Sequence, residues 1–573
     1  MHYERATRGQ NFYKLDTNLQ RLLRRIAPLA ERRFAADLDS FGAFVGGPVD
    51  EQAEYTDRLG KPVLETYARD GQIQNRIRHN PAWDAVSREA YVRGAIGLNY
   101  TDNPAPFTLT FAMGYLLSEA DVALHCPVTM TGAVAYVLDR FAPRDTRTKY
   151  LSQLTRMDGA ALSGGTWATE LHGGSDIGAT TTTARREGDH VRLNGLKWFT
   201  SNANGGLAVA TARPVGAPAG SKGLGLYLVP THLDDGAPNP MRIRRLKDKL
   251  GTTGVPTGEI DLTDTWAMEV APPPIGFKLM MEALGFSRIH NAVGSAGVQR
   301  RAFLEAVSYL SHRSAFGANV LGYPMVQDEI VKMVVRLESG CALAFEAARA
   351  FDEAHQNGLD DEDAGGRPWL RLATALAKYQ TAEDAITLSR MAIELVGGNA
   401  YTGDYQMARM LRDAQVLTVW EGPANIQALE VLRMIGNRTP GFEAFEQRAM
   451  GILRAAPELL GSLSVPLREA LGACREAVAY LRNAPQESPK HARKLMVLLA
   501  ETLGGLLLLE EAAADWAEGD MRKAIVCRLY LQEKFTGRGS RGIGPGHDWH
   551  HKYFPALMGY DPIAAAASAL RAL

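Results

Sequence analysis

Cysteine is scarce in this chain, which has only four in 573 residues. They share no CxxC spacing, so the sequence contains neither a disulfide framework nor a cysteine-based zinc site. The opening segment, MHYERATRGQNFYKLD, also lacks the apolar stretch of a secretory signal. Both absences fit a reducing compartment, and we expect a cytoplasmic protein. The four cysteines are Cys126, Cys341, Cys474 and Cys527.

Neither sign of charge is in excess, because 63 Lys and Arg residues balance 64 Asp and Glu residues. The whole chain therefore has no electrostatic bias toward nucleic acid or an anionic membrane. Its most apolar run, Leu495–Ala514, contains glutamates and two adjacent glycines. These residues favour a buried helix over a membrane span, and we expect no membrane partner.

Hydrophobic periodicity divides the chain into helical, β and again helical segments. The pattern is helical from Leu19 to about Tyr150, β-branched and aromatic from about Ala161 to Val270, and helical after Pro274. A polar turn at Glu187–His190 predicts a hairpin. We predict a mainly α fold with a central β domain and a helical C-terminal extension. The predicted domains are a helical N-terminal domain (1–160), a middle β domain (161–275), a helical domain with Glu421 (276–440) and the extension (441–573).

A glutamate, Glu421, lies between Trp420 and Gly422 just before a long helical pattern. A carboxylate fixed by such a turn is a candidate general base, because proton removal requires a defined position. A glutamate before a helix is more commonly a cap or a partner of the helix dipole. Glu421 therefore needs support from other parts of the chain.

Two passages of the β segment have the composition of a site for a flat polar ligand. Residues 164–184, GGTWATELHGGSDIGATTTTA, combine several glycines with Thr169 and Ser175, so backbone amides and hydroxyls can approach a ligand closely. Residues 193–202, LNGLKWFTSN, place aromatic and hydroxyl side chains at the end of a strand. Taken singly, an ordinary turn-rich loop and an ordinary core strand explain these passages better.

Taken in order, the passages resemble the acyl-CoA dehydrogenase family over about residues 70–440. The TE-x-x-x-GSD signature of that family appears at 169–176, its strand over the flavin face at 197–201, its cofactor-arginine helix at 312–317 and its glycine turn at 396–401, followed by Arg412-Asp413 and the Trp-Glu-Gly passage. HNPAWDAV, LHCPVTMTGAV, LKDKLG and the extension after Pro440 resemble its AidB-like, alkylation-response branch. The resemblance implies a helical N-terminal domain, a β-barrel-like middle domain and a helical bundle.

The resemblance also implies an FAD-dependent acyl-CoA dehydrogenase, an oxidoreductase acting on CH–CH bonds. Glu421 matches the base that removes the α-proton of an acyl thioester while the β-hydride passes to the flavin N5. Enolate charge that develops on the thioester oxygen must be stabilised by hydrogen bonds. In the family these come from the backbone amide of the glutamate and a ribityl hydroxyl of the flavin.

Further positions are assigned by the same resemblance. Those that match FAD-binding positions are Trp167, Ala168, Thr169, Ser175, Phe199, Ser201, Arg313, Phe316, Gly397, Gly398 and Asn425. Those that match substrate-binding positions are Ser175, Arg288 and Gly422. Arg313 and Phe316 match residues that reach the FAD of a neighbouring subunit, which implies at least a dimer and, by family habit, a homotetramer. No metal site is predicted.

Departures from the family pattern bear mainly on the substrate. Pro423 stands where the family often has threonine, and proline donates no hydrogen bond. Ala315 replaces a hydroxyl residue near Arg313, and Gly285-Phe286-Ser287 stand where many members have an acidic residue before Arg288. We therefore expect FAD binding to survive these changes better than recognition of an ordinary acyl-CoA.

The C-terminal segment contains two patterns that imitate binding motifs. Gly537–Gly542 satisfies GxGxxG, but no buried strand leads into it, so a dinucleotide loop is not expected. A histidine-rich run, His547, Asp548, His550 and His551, suggests a metal. Adjacent histidines in a loop rarely converge on one ion without further ligands. A solvated loop or a subunit contact is the prediction for this run.

Two other functions stay open. An AidB-like protein that protects DNA against alkylation would bind FAD and keep weak dehydrogenase activity. Residues 441–573 carry 16 Lys and Arg against 15 Asp and Glu, a net of +1. This balance does not favour DNA binding, because affinity for duplex comes largely from neutralised phosphates. An oxidase that uses oxygen directly would differ only in how open the flavin is.

Overall fold

The computed structural model describes residues 7–356, 367–536 and 549–565. They form two compact units, and the chain passes from one to the other after Arg33 and again after His290, within one long helix. The first unit consists of the residues up to Arg33 and those from Asn291 onward, and the second unit is Phe34–His290. The GxGxxG pattern at Gly537–Gly542, like His547 and Asp548, lies outside the described residues. The boundaries of the four predicted domains stay predictions.

The first unit begins with three short helices, α1 (Phe12–Leu15), α2 (Thr17–Ile26) and α3 (Pro28–Arg33). The Asp16 carboxylate accepts a hydrogen bond from the Leu19 backbone N–H and so caps α2. Leu19, Leu22 and Leu23 are buried at the i, i+3 and i+4 spacing of an amphipathic helix.

Helices and one hairpin precede the β domain in the second unit. They are α4 (Ala35–Phe44), α5 (Asp50–Arg58), β1 (Val63–Tyr67), β2 (Ile73–Arg78), α6 (Pro81–Val92), α7 (Phe107–Ala120), α8 (Val122–Phe141) and α9 (Arg144–Thr155). Every residue of α7 is buried. Within the described ranges, only α8 has the length and apolarity that a membrane crossing needs, and 94% of its most apolar window is buried in the protein, as in a core helix.

The expectation of a helical pattern from Leu19 to Tyr150 was wrong for the hairpin of β1 and β2. These strands pair antiparallel, with Leu64 opposite Ile77. Both side chains pack against the hydrophobic core of the β domain. The segment is short, and Leu64 and Ile77 find apolar partners only in a sheet that follows about a hundred residues or more later in the sequence.

The β domain consists of β3 (Gly164–Trp167), β4 (Thr183–Glu187), β5 (His190–Ser201), β6 (Leu207–Pro214), β7 (Gly225–Pro230), β8 (Met241–Leu246) and β9 (Thr257–Ala271). The strand order is β3-β6-β4-β5-β9-β7, with β8 beside β9, and β7 also pairs with β6. This additional pairing closes the sheet into a barrel. The predicted hairpin is confirmed, because Glu187 pairs with His190 across a two-residue turn. Trp167, Leu193, Tyr227 and Ile260 lie in the barrel core.

Long helices make up most of the remaining chain. These elements are α10 (Ile275–His312), β10 (Ser314–Ala315), β11 (Ala318–Asn319), α11 (Pro324–Gln356), α12 (Arg367–Val396), α13 (Gln406–Leu417), α14 (Ala424–Met434), α15 (Gly441–Ala455), α16 (Gly461–Asn483), α17 (Ser488–Ala517), α18 (Arg522–Leu531), α19 (Trp549–Lys552) and α20 (Phe554–Gly559). The apolar run of the extension lies in α17 and is a buried helix, as predicted. A Cβ at Gly504 would lie 2.5 Å from the Ser339 hydroxyl, so glycine allows α17 and α11 to pack closely. The predicted fold class, mainly α with a central β domain and a helical extension, is confirmed.

A buried ionic network ties the N-terminal helices of the first unit to the C-terminal extension. The carboxylate of Glu338 on α11 is fully buried and pairs with Arg522 at 2.6 Å and with Lys523. Lys523 also lies 2.6 Å from Glu511, which pairs with Arg25 of α2 at 2.8 Å. Removing one member would leave a buried charge uncompensated. The network therefore fixes how these four helices pack.

Candidate functional site

The loop after β3 lies against the start of the aromatic strand. Trp167 ends β3 and is 1% exposed in the barrel core, which anchors the loop. The Trp198 backbone N–H donates to the Thr169 carbonyl at 2.9 Å. Gly173 has φ +125°, and a Cβ at Gly174 would lie 2.6 Å from the Thr169 hydroxyl. The loop therefore folds tightly around Thr169, where it leaves Ser175 exposed and Ala168 partly exposed.

A buried ion pair holds this loop in place. The Glu170 carboxylate, 2% exposed, accepts a 2.8 Å hydrogen bond from the ammonium of Lys197 on β5. It also accepts hydrogen bonds from the backbone N–H and hydroxyl of both Thr181 and Thr182. Burial raises the pKa of Glu170, but Lys197 and these hydrogen bonds outweigh burial and lower that pKa to about 2. Glu170 is thus a structural anion under all ordinary conditions.

The end of β5 presents an aromatic surface. Phe199 is 53% exposed, and the Ser201 hydroxyl lies 3.0 Å from that of Thr257. The ammonium of Lys247 lies 3.3 Å from the centre of the Trp198 ring and 4.8 Å from that of Phe199. Glu259 pairs with Lys247 at 2.6 Å. The cation fixes the two rings from one side, a contact worth about 0.5–2 kcal/mol.

The turn that carries Glu421 lies between α13 and α14 in the first unit. Glu421 has φ +58°, in the left-handed region that residues other than glycine rarely adopt, and Gly422 follows with φ +95°. The Gln427 amide donates to the carbonyls of Glu421 and Gly422 at 3.1 and 2.9 Å. Pro423, not Glu421, is the residue before the first turn of α14, and Asn425 is exposed in that turn. Glu421 is therefore not the N-cap of α14.

The C-terminus of α13 is also fixed from inside the first unit. The buried Lys378 ammonium and the Asn291 amide both donate to the Leu417 carbonyl, at 2.8 and 3.2 Å. The Trp420 backbone N–H donates to the Val416 carbonyl at 3.0 Å. Both sides of the Glu421 turn are thus held by hydrogen bonds to buried or backbone groups. These hydrogen bonds maintain Glu421 in a strained backbone conformation, and such strain is characteristic of functional sites.

The cofactor arginine predicted from the sequence lies beside the glycine turn. Arg313 donates to the Val396 carbonyl at 2.9 Å, and Gly397, with φ +87°, is next to its guanidinium. Nothing lies within 4 Å of a Cβ built at Gly398. Phe316, at the tip of the β10–β11 hairpin, is 99% exposed. The structure thus brings Arg313 and Gly397 together and leaves Phe316 pointing away from its own unit.

Arg288 lies on α10 in the second unit and is only 8% exposed. Gly422 contributes a left-handed turn whose Cβ position is blocked, since a Cβ there would lie 2.8 Å from the Gln427 amide nitrogen. No other residue type fits this position without displacing Gln427. The substrate roles of Arg288 and Gly422 stay predictions, as do the cofactor roles of the residues above.

Three family models match the chain. They are the AidB N-terminal domain at residues 4–158, the acyl-CoA dehydrogenase middle domain at 165–265 and the acyl-CoA dehydrogenase C-terminal domain at 275–436. Acyl-CoA dehydrogenase family member 11 of Caenorhabditis elegans is 30% identical over 524 residues, which cover 88% of this chain and 84% of the relative. This chain belongs to the acyl-CoA dehydrogenase family.

Other relatives agree with this assignment. Putative acyl-CoA dehydrogenase AidB of Escherichia coli is 28% identical over 80% of this chain and 86% of its own length. The crystal structure of Caenorhabditis elegans ACDH-11 in complex with C11-CoA has a TM-score of 0.86 and 28% identity, and the match covers 98% of both chains. An acyl-CoA dehydrogenase from Bacillus anthracis complexed with FAD shares the fold, with a TM-score of 0.69 at 16% identity over 86% of this chain and 88% of that one. The predicted resemblance to the family and to its AidB-like branch is confirmed.

Four residues around the site were not assigned any role from the sequence. Glu170 and Lys197 lie inside the quoted signatures, but they are 27 residues apart and no local pattern shows that they pair. Lys247 stood in LKDKLG. Gln427 follows Glu421 by six residues, and no local pattern shows that its amide turns back to the preceding turn.

Proposed function

We propose that the chain is an FAD-dependent, acyl-CoA dehydrogenase-like flavoenzyme in which Glu421 removes the α-proton of an acyl-CoA or a related thioester. The observation that carries this proposal is the backbone of Glu421, a left-handed conformation clamped by Gln427. Membership of the family supports the reaction class. The C11-CoA complex of the Caenorhabditis elegans relative supports an acyl-CoA as the ligand class.

The residues of the second unit fit a flavin. The exposed Phe199 ring offers a face for stacking, and the neighbouring loop of Trp167, Ala168 and Thr169 offers backbone groups and a hydroxyl. Gly174 keeps that loop close to Thr169 because a side chain would collide there. Ser201 adds a hydroxyl at the end of the same strand. Bound FAD would supply the acceptor for the hydride that leaves the β-carbon.

Glu421 would act as the base, and the turn that carries it holds its backbone in one conformation. The backbone N–H of Glu421 lies in the same fixed turn and is suited to donate to the thioester oxygen as enolate charge develops. Gln427 donates hydrogen bonds to the two carbonyls of the turn, so the backbone of Glu421, including its N–H, keeps one orientation. Gly422 permits this arrangement.

A homotetramer, and at least a dimer, is part of the proposal. Phe316 is almost fully exposed at a hairpin tip, and Tyr323 supports that tip through a hydrogen bond to the Ala315 carbonyl at 2.7 Å. An exposed aromatic ring on an ordered hairpin is suited to contact a second subunit. Arg313 and Phe316 would then complete the neighbour's cofactor site. The four cysteines are buried free thiols, which supports the proposed cytoplasmic location.

An anaerobic titration tests the proposal. The purified protein should be yellow, and straight or branched acyl-CoAs should bleach its flavin absorbance. Glu421→Gln should keep FAD and lose about a hundredfold or more in bleaching rate, because a general base contributes 10²–10⁴-fold. Glu394→Gln changes an exposed glutamate of α12 that pairs with Arg390, and it serves as the matched control. Normal bleaching by Glu421→Gln would remove Glu421 from the mechanism, and no bleaching by any acyl-CoA with FAD bound would reject the dehydrogenase.

The AidB-like alternative is a DNA-associated protective flavoprotein with weak dehydrogenase activity. The match of residues 4–158 to the AidB N-terminal domain supports this alternative. Charge in the extension opposes it, because Arg448, Arg475, Arg482 and Lys490 each pair with a carboxylate. Duplex binding measured by fluorescence anisotropy over a salt series decides the matter. A complex whose affinity falls steeply with salt would support DNA association, and no complex at low salt would reject it.

A further inference from the structure

Two histidines of the C-terminal segment lie against the first turn of α11. The Nε2 atom of His550 lies 2.9 Å from Oδ1 of Asp328, and Nδ1 of His551 lies 3.2 Å from Oε1 of Gln327. One ligand atom each from Asp328, His550 and His551 lie within 4.8 Å of one another. All four residues belong to the first unit.

The fold supplies the ligands that the local sequence lacks. From the sequence, His550 and His551 are adjacent histidines without further donors, and we expected a solvated loop or a subunit contact. The structure adds a carboxylate and an amide oxygen from α11, and Gln327 is 224 residues away from His551 in the sequence. That distance is the reason why the expectation did not include a metal.

Both sides of the cluster are supported by ordered structure. Asp328 lies at the beginning of a 33-residue helix, α11. Helix α19 is anchored by Trp549, which is buried, stacks on Tyr553 at 5.5 Å and lies under the guanidinium of Arg528 at 5.5 Å. The histidines are therefore presented to α11 by a fixed element, which lowers the entropic cost of collecting ligands.

Local charge permits a cation at this position. Lys332 lies one helical turn after Asp328, at 3.8 Å from its carboxylate, but its ammonium is drawn to Glu329 at 2.6 Å. Two carboxylates thus face one ammonium on this turn of α11. The two imidazoles add no charge when they are neutral and in the state that binds metals.

We propose that Asp328, His550 and His551 form a binding site for a divalent transition metal of the zinc, cobalt or nickel type, with Gln327 as an adjacent fourth donor. Two imidazole nitrogens and one carboxylate oxygen suit these ions better than calcium or magnesium. Tetrahedral coordination with bonds of about 2.0–2.2 Å requires donor atoms about 3.3 Å apart. The three atoms lie within 4.8 Å of one another, so metal binding requires the side chains to move closer together. Bound metal fastens α19 to α11.

A metal titration of the full-length chain tests this site. After chelator treatment and dialysis, Co²⁺ is added while its visible absorption is recorded, and Zn²⁺ is followed by calorimetry. We expect one equivalent per chain, displacement of Co²⁺ by Zn²⁺ but not by Mg²⁺, and a rise of Tm with Zn²⁺. The double variant His550→Ala/His551→Ala and the single variant Asp328→Asn should each bind the metal at least about tenfold more weakly than the parent protein, since each lacks ligand atoms of the site.

His232→Ala is the matched control, because it removes an exposed histidine of the second unit. Circular dichroism spectra of the two site variants should equal that of the parent protein, which separates ligand loss from misfolding. If only one of the two variants folds, the folded one decides. Absence of a cobalt spectrum, or equal metal affinity in the parent protein and a folded site variant, would overturn the proposal.

Discussion

Replacement of Glu170 by Gln should destabilise the β barrel more than any other single isosteric change in or around the loop after β3. The substitution keeps the shape of the side chain but removes the charge that faces Lys197, which is 0% exposed. A shift of the Glu170 pKa from 4.5 to about 2 corresponds to about 3 kcal/mol of preferential stabilisation of the carboxylate, at about 1.4 kcal/mol per unit. Breaking a buried pair from one side costs about 3–5 kcal/mol, because the remaining charge stays buried. The two figures agree.

The assay is urea denaturation followed by tryptophan fluorescence, since Trp167 and Trp198 lie in or beside this barrel. Lys197→Met and the double variant complete a double-mutant cycle. Each single variant should lose about 3 kcal/mol, and the double variant should lose less than the sum, since it leaves no unpaired charge. Strict additivity, or a Glu170→Gln variant within about 0.5 kcal/mol of the parent protein, would refute the reasoning.

The pH dependence provides a second check with a defined sign. The pKa of Glu170 is lower in the folded protein than in the unfolded chain, so the unfolded state binds more protons in this range. The contribution of Glu170 to stability is fully present above about pH 4.5 and is lost as the pH falls toward 2. The difference between the parent protein and Glu170→Gln should therefore shrink on acidification below about pH 4.5. A difference that grows on acidification would contradict this assignment.

Two further predictions concern the first unit. Gln427→Leu removes both hydrogen bonds to the Glu421 turn, so it should lower the free energy of unfolding by about 1–3 kcal/mol and slow flavin bleaching while FAD stays bound. Gln415→Leu, on the exposed face of α13, is the control. Unchanged bleaching by Gln427→Leu would show that these two hydrogen bonds are not required for the reaction. Burial raises the pKa of Asp515 to about 6, although Lys523 opposes the shift. The ionised form of Asp515 therefore lowers the free energy of unfolding, and this loss of stability develops as the pH rises through 6. Asp515→Asn should raise Tm at pH 8 by an amount that vanishes near pH 4, and a lower Tm at pH 8 would mean that attraction to Arg21 and Lys523 prevails.

The sequence by itself determined the elements whose signals are local. Apolar residues at helical or strand spacing placed the helices and the barrel strands, and the turn residues at Glu187–His190 placed a hairpin. Glycines that neighbour Thr169 and follow Glu421 marked the tight turns of the candidate site. The family signatures carried the assignment of Glu421, since six short passages kept their order along the chain. Such signals survive because backbone conformation depends mainly on neighbouring residues.

Only the tertiary structure decided which charged and polar side chains meet. Glu170 and Lys197 are 27 residues apart, and Glu338 and Arg522 are 184 apart, and nothing in either local sequence indicates the other member. The hairpin of β1 and β2 was missed because Leu64 and Ile77 are partly buried only through their packing against the barrel core. The exposure of Phe316 and the contact between Asp328 and His550 likewise follow from packing. A buried charge or a converging set of ligands is stabilised by groups that are distant in the chain, so its position is a property of the fold.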